Sequence, residues 1–271
     1  MALDGRADSD SSATRSGSGA AALGFPRLRE TVAGHAQPVP HEKDLRGQEP
    51  SPAGREGPCH DGGVRRTDET VEYFESFYAG ASDDLSQIPW ARLSPRPLLV
   101  RWLDAEPPAE GTPALVVACG LGDDAEELAR RGCVVVAFDV SRTAIDVARR
   151  RFPDSGVSYR VADLFDLPLD WRERFELVVE VQTIQSLPPS EHRAAIRAIS
   201  ACLAPGGRMF VRTAIRGEDR PALSRPWPLT HSELSWFEDE GLELTARLEP
   251  ADVEVAHLEY RRPLRRARGR G

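Results

Sequence analysis

The pattern of apolar and polar positions divides the chain near residue 66. Before it, large apolar residues are scattered and follow no helical or strand period; after it, short apolar runs alternate with amphipathic stretches. Val71, Tyr73, Phe74, Phe77 and Tyr78 mark an aromatic helix that ends near Gly80. Leu98, Leu99, Trp102 and Leu103 mark an amphipathic helix after Pro97. Five runs then read as strands: 115–118, 133–138, 157–161, 175–181 and 208–212. The first is apolar without alternation, as in a strand covered on both faces. Helical patterns separate these runs, the order that builds a parallel sheet. The first begins at Asp124, carries Ala125, Leu128 and Ala129 on one side and ends at Gly132. The second follows Ser141 as cap and bears Ile145, Val147, Ala148 and Phe152. The third, with Ser190 as cap, runs through Ile196, Ile199 and Leu203 until Pro205-Gly206-Gly207 stops it. Thr230 and Glu233 then form a capping box for a helix over 232–240. Two last strands, 242–248 and 253–260, are joined by a link too short for a crossover helix, so they are antiparallel. The prediction is an α/β fold: a seven-stranded, mostly parallel sheet with an antiparallel C-terminal hairpin, helices on both faces and a helical N-terminal cap.

Composition adds boundaries. Residues 1–66, rich in Gly, Ser, Ala and Pro, predict a disordered low-complexity tail. Residues 67–262 form the folded domain, and 263–271 a basic disordered tail. The chain is 40% hydrophobic, yet no apolar run approaches the roughly 20 residues that span a bilayer. The acidic N-terminus predicts no signal peptide. The expectation is a soluble, cytoplasmic monomer. The cysteines, Cys59, Cys119, Cys133 and Cys202, have no metal or disulfide spacing, and no metal is expected; Cys59-His60 alone is weak evidence for one. The only lysine is Lys43, in the tail, which excludes a phosphate-loop NTPase or a pyridoxal enzyme in the folded part. Net charge is −8, but the body from 67 to 260 carries 34 acidic against 20 basic groups. Such a surface repels nucleic acid backbone, and no nucleic-acid or membrane partner is expected.

Candidate chemistry centres on the turn after the first strand, where Gly120, Leu121 and Gly122 lead into a helix. Strand, glycine turn and helix N-terminus form a cradle for a nucleotide-like ligand. Asp139, just past the second strand, is placed to accept both hydroxyls of a ribose. NAD and S-adenosylmethionine share this half of a site, so the turn alone does not separate them. Ala162-Asp163-Leu164 follows the third strand, Glu180 stands at the end of the fourth, and Pro205-Gly206-Gly207 precedes the fifth. With all these in register, residues 70–262 resemble a Rossmann-like class I S-adenosylmethionine-dependent methyltransferase. The Trp90 loop and the Gly-Leu-Gly-Asp-Asp turn resemble its thiopurine methyltransferase and tellurite-resistance branch. Many members of the family have a third glycine where Asp124 stands.

The resemblance implies S-adenosyl-L-methionine as cofactor, held by Trp90, Gly120, Leu121, Gly122, Asp139, Val140, Asp163, Leu164 and Glu180. In it, Asp163 caps the adenine amino group, Leu164 packs on the ring, and Glu180 and Trp90 face the cationic methionine end. It implies an acceptor pocket drawn from Tyr78, Gln185, Arg216 and Trp227. The acceptor is a small molecule, with a thiol, thiopurine or chalcogen compound as candidate, and transfer is direct and in line. No catalytic acid or base is assigned, and His257 is expected to be structural. A non-catalytic S-adenosylmethionine-binding protein and an NAD-linked oxidoreductase are the alternatives.

Overall fold

The computed structural model describes residues 68–81, 84–248 and 254–265. The tail expected over 1–66, with Lys43, Cys59 and His60, lies outside the described residues, as do 249–253 and 266–271. Seven strands form one sheet: β1 (Pro113–Val117), β2 (Val134–Asp139), β3 (Ser158–Val161), β4 (Phe175–Val181), β5 (Leu203–Ala214), β6 (Glu243–Arg247) and β7 (Val255–Arg261). Their order is β3-β2-β1-β4-β5-β7-β6. The first five run parallel, and β7 lies antiparallel between β5 and β6. The chain winds outward in both directions from β1. A crevice therefore opens between the carboxyl ends of β1 and β4, where an open α/β sheet takes its ligand.

Helices cover both faces. Leu99 and Trp102 of α2 (Pro97–Ala105), Leu128 of α3 (Asp123–Arg130) and Ile145 of α4 (Arg142–Arg151) pack with Ala114, Val116 and Val179 on one side. Ile196 and Ile199 of α5 (Pro189–Cys202), Leu234 of α6 (His231–Leu234) and Phe237 of α7 (Trp236–Asp239) pack with Leu115, Val117 and Val178 on the other. Consecutive residues of β1 thus enter opposite cores, as its unalternating apolar run requires. Across the sheet face, Trp102 Nε1 donates to Glu259 Oε2 of β7 at 2.6 Å. Among the described residues no helix is long and apolar enough to cross a membrane.

The cap is a third cluster. Tyr78 of α1 (Asp68–Gly80), Ile88 and Leu121 close over Ala144 and Val147 of α4. Ser141 caps α4 as predicted, accepting from the Ala144 amide at 2.9 Å. Glu75 of α1 reaches the same helix end: it accepts from Ser141 Oγ at 2.6 Å, from the Thr143 amide at 3.3 Å and from the Thr143 hydroxyl. Burial pushes the Glu75 carboxyl up, but these hydrogen bonds outweigh it and hold the pKa below the usual value. An anion at a helix N-terminus is favourable for the same reason.

Three local expectations are corrected. Ser190 is not a cap: α5 starts at Pro189, whose missing amide needs no partner in a first turn, and Ser190 follows it. Pro205-Gly206-Gly207 does not stop that helix, which ends at Cys202. The three residues lie inside β5, where Leu203 pairs with Phe175 and the next partners are Arg208 and Leu177. Gly206, at φ +82°, turns the bulge, and its amide donates to Arg262 O at 2.8 Å. The helix over 232–240 is divided at Ser235 into α6 and α7. Its capping box is present: Thr230 Oγ1 accepts from the Glu233 amide at 3.1 Å, and Glu233 Oε2 from the Thr230 amide at 2.7 Å.

Candidate functional site

A cleft of about 1170 Å³, counted with the solvent at its mouth, occupies the rim where β1, β2 and β4 end. Its floor is Val116 to Leu121, Asp139 and Val140, and Val181 to Gln185. Its roof is Tyr73, Phe74, Tyr78 and Trp90, continued by Arg92, Ser94 and Arg96 and by Arg225 and Pro226. Three of the four non-glycine residues with positive φ among those described are in or beside this lining: Leu93 at 57°, Ala118 at 45° and Gln182 at 61°. Ala118 and Gln182 each follow a strand directly, so the strained backbone sits where β1 and β4 enter the cleft. Such conformations cost of order 1–3 kcal/mol each and concentrate at functional sites.

The glycine turn is organised by Asp139, which is 5% exposed. Its Oδ2 accepts from the Gly120 amide and its Oδ1 from the Ser141 amide, both at 2.9 Å. One carboxylate therefore braces the turn after β1 against the turn after β2. Gly120, at φ +53°, lies under the Tyr78 hydroxyl; a Cβ there would come within 3.0 Å of it. Trp90 Nε1 donates to Tyr78 Oη at 2.8 Å, and the indole makes edge contacts with Phe74, Phe77 and Tyr78. Burial, reinforced by the Asp139 charge, pushes both the Tyr78 hydroxyl and the Cys119 thiol well above their usual pKa. Both are protonated at neutral pH and neither is a ready base.

Of the residues singled out in the sequence, Trp90, Gly120, Leu121, Asp139, Val140, Tyr78 and Gln185 come together in this cleft. The others do not line it. Gly122, at φ +92°, serves packing: an added Cβ would stand 2.3 Å from Tyr159 Oη, which donates to Glu126 at 2.6 Å. Asp163 accepts from the Phe165 amide at 2.9 Å in the turn after β3, and Leu164 is buried in the core below it. Glu180 is fully buried and holds the turn after β4, with Oε1 accepting from the amides of Thr183 at 2.7 Å and Ile184 at 3.2 Å. Burial raises its pKa to about 7 against the pull of those amides and of Arg212 and Arg96. Arg216 is committed to its own loop, donating to the carbonyls of Pro228 and Arg220 at 2.8 Å and meeting Glu233 at 3.3 Å. Trp227 stacks outside, 5.1 Å from the Arg225 guanidinium. His257 is a buried residue of β7, its pKa lowered to about 4 by burial and by Arg212 and Arg96, in agreement with a structural role.

Sequence reasoning missed Arg96, Thr183 and Arg225. The Arg96 amide donates to Asp124 Oδ1 at 2.9 Å, and its guanidinium lies 3.6 Å from Oδ2. Asp124 thus anchors the cap loop to α3. Asp123 is paired with Arg151 at 2.8 Å. The signal for these partners is absent from local sequence, because each pair joins segments about 28 residues apart.

The fold is that of the class I S-adenosylmethionine-dependent methyltransferases. Residues 114–207, from β1 into β5, match the family model described as "Methyltransferase domain". The chain is similar to the ubiquinone biosynthesis O-methyltransferase of Pseudomonas syringae pv. tomato, at 33% identity over 122 residues, covering 44% of this chain and 52% of that protein. It therefore spans about half the length of the curated relatives it matches. Among solved structures it resembles the N-methyltransferase NodS of Bradyrhizobium japonicum in complex with S-adenosyl-L-homocysteine: 25% identity, TM-score 0.55, 72% of this chain and all of that one. A TehB-like S-adenosylmethionine-dependent methyltransferase from Corynebacterium glutamicum shares the fold at 20% identity and TM-score 0.52, over 72% of this chain and all of that one.

Proposed function

We propose that this protein transfers a methyl group from S-adenosylmethionine to a small-molecule acceptor. The observation that carries the reading is the Asp139 brace: a nearly buried carboxylate, beside a glycine turn, at the switch point of the sheet. Asp139 accepts from the Gly120 and Ser141 amides, and an ionised carboxylate at this place is an acceptor suited to ribose hydroxyls. The floor at Gly120 and Leu121 lets a ligand approach the backbone, while Val140 offers apolar contact. Asp163 and Leu164 lie on the neighbouring β3 rim, the side on which an adenine extending past Asp139 would rest. Arg96, whose Nε is buried without a hydrogen-bond partner, suits the carboxylate of the methionine end. The aromatic roof of Phe74, Tyr78 and Trp90 suits its sulfonium.

Bound there, the donor supplies an electrophilic methyl, and its loss leaves a neutral thioether. The chain's part is to align the acceptor and exclude water, since Tyr78 and Cys119 both hold their protons. Such a pocket favours an acceptor that arrives already nucleophilic. A thiolate or chalcogenide, as in the thiopurine and tellurite-resistance branch, meets that condition, and so does a phenolate. The relatives include O- and N-methyltransferases by name, so the acceptor atom is the finer part of the proposal.

Calorimetry on the full chain with S-adenosylhomocysteine, with NAD as control, is the direct test. Micromolar binding of the first and none of the second is expected. Binding of NAD in its place would overturn the reading.

A further inference from the structure

We infer that the acceptor is a planar aromatic anion, its charged group bound by Thr183 and Gln185 on the turn after β4; this rests on the methyltransferase reading. The turn at 183–186 is fixed from below by Glu180 and enters the cleft through the strained Gln182. Gln185 is 3% exposed, and its side-chain oxygen accepts from the Ala214 amide and the Thr213 hydroxyl. A backbone amide only donates, so the oxygen must face Ala214 and the NH2 end is the one left for a ligand. That NH2 makes no hydrogen bond to the described residues, although Gln185 lines the cleft. Two residues earlier, Thr183 is 6% exposed, and its hydroxyl is buried with no partner. On one turn, a buried hydroxyl without a partner and an amide NH2 without a hydrogen bond line the same cleft, and a ligand acceptor would satisfy both.

The sign of the ligand follows from what surrounds these groups. Every carboxylate lining the cleft is committed: Asp123 to Arg151, Asp124 to Arg96, and Asp139 to two amides. The cleft also presents donors, with Arg225 and Arg92 among the residues that line it together with Gln185. The Arg225 guanidinium is held 3.9 Å from the centre of the Tyr73 ring and 5.0 Å from that of Phe74, so its position at the mouth is set by the aromatic wall. A cation entering here would meet N–H groups and guanidinium; an anion would be hydrogen-bonded. The shape follows from the wall itself, since Tyr73, Phe74 and Trp90 are rings with mutual edge contacts that favour a flat partner.

The test uses the full chain saturated with S-adenosylhomocysteine, titrated with benzoate, benzamide, benzylamine and cyclohexanecarboxylate and followed by ligand-observed NMR. Benzoate should bind about 10-fold more tightly than benzamide or benzylamine, as expected for charge-assisted hydrogen bonds, and several-fold more tightly than the non-planar anion. Gln185→Glu keeps an oxygen for the Ala214 amide but replaces the donor with an acceptor. It should weaken benzoate about 10-fold and leave S-adenosylhomocysteine affinity within about 2-fold, which reports an intact fold. Thr183→Val, of similar volume, should weaken benzoate about 3- to 10-fold. Equal affinity for benzamide or benzylamine, or an unaltered benzoate affinity in Gln185→Glu, overturns the inference and leaves the methyltransferase reading standing. Failure of the wild-type chain to bind S-adenosylhomocysteine overturns that reading instead.

Discussion

On the β1–β2 side of the cleft the polar surface is backbone, held in place by Asp139, and its acids are neutralised by partners on the same side. On the β4 side the polar surface is side chain: Thr183 and Gln185 from the turn after β4, and Arg225 from a separate loop, carry N–H or O–H groups into the cavity. The first side suits a ligand whose shape never changes, because amides and a glycine turn cannot drift without refolding. The second can be altered by one substitution at a time. A fold that keeps one cofactor while changing acceptors needs this division, with the fixed partner read by the main chain and the variable one by side chains.

The division can be broken most severely at Gly122. At φ +92°, with Tyr159 Oη 2.3 Å from a Cβ, Gly122→Ala combines backbone strain with overpacking and should cost about 4 kcal/mol. Denaturant unfolding would show it. Gly120→Ala, with the nearest atom at 3.0 Å, should cost less stability and more cofactor affinity, measured by calorimetry. If both substitutions act on stability alone, the two glycines do not divide their roles as described.

Next in size is the support under the β4 turn. The fold raises Glu180 from its free value of 4.5 to about 7, so it favours the neutral acid. That contribution is complete below pH 4.5 and is lost as the pH rises through 7. His257, lowered to about 4, works in the opposite sense: its contribution is present above 6.5 and is lost on acidification. Glu180→Gln removes only the first term. Its stability relative to wild type should therefore rise by about 3 kcal/mol between pH 4 and pH 8, by the linkage of about 1.4 kcal/mol per pKa unit. Urea unfolding at both pH values checks this, and a constant difference would show that folding does not shift the Glu180 pKa.

Asp139→Ala should weaken S-adenosylhomocysteine binding by about 2 kcal/mol, through the lost ribose contacts and the unbraced amides of Gly120 and Ser141. Calorimetry measures it, and unchanged affinity would remove Asp139 from the site. The smallest effect is expected from Trp90→Phe, which keeps a ring in the roof but deletes the bond to Tyr78 Oη. About 1 kcal/mol of stability should be lost, read by thermal unfolding.

The strands and the glycine turn were legible because apolar period and turn chemistry are local. All seven predicted strands are present, and the Ser141 and Thr230–Glu233 caps came from residues three positions from their partners. What was not legible depends on distant partners. Gly122 looked like part of a ligand cradle, and the Tyr159 ring from β3 leaves no room there for a Cβ. Arg216 was expected in the acceptor pocket; it does not line the cleft and donates to the Pro228 and Arg220 carbonyls. Pro205-Gly206-Gly207 has the chemistry of a helix stop, and sheet pairing on both sides of β5 overrides it by drawing the segment into a bulge.

Glu75 carries a consequence for where this molecule begins. The match to the family model starts at Ala114, but α1 lies upstream of it and is held to α4 by that acid together with the packing of Tyr78 on Ala144 and Val147. Trimmed to its recognisable boundaries, the protein would retain a floor without a ceiling, leaving an open trough where solvent competes for every contact. The segment within the family-model match supplies the seat, and the one before it makes it a room.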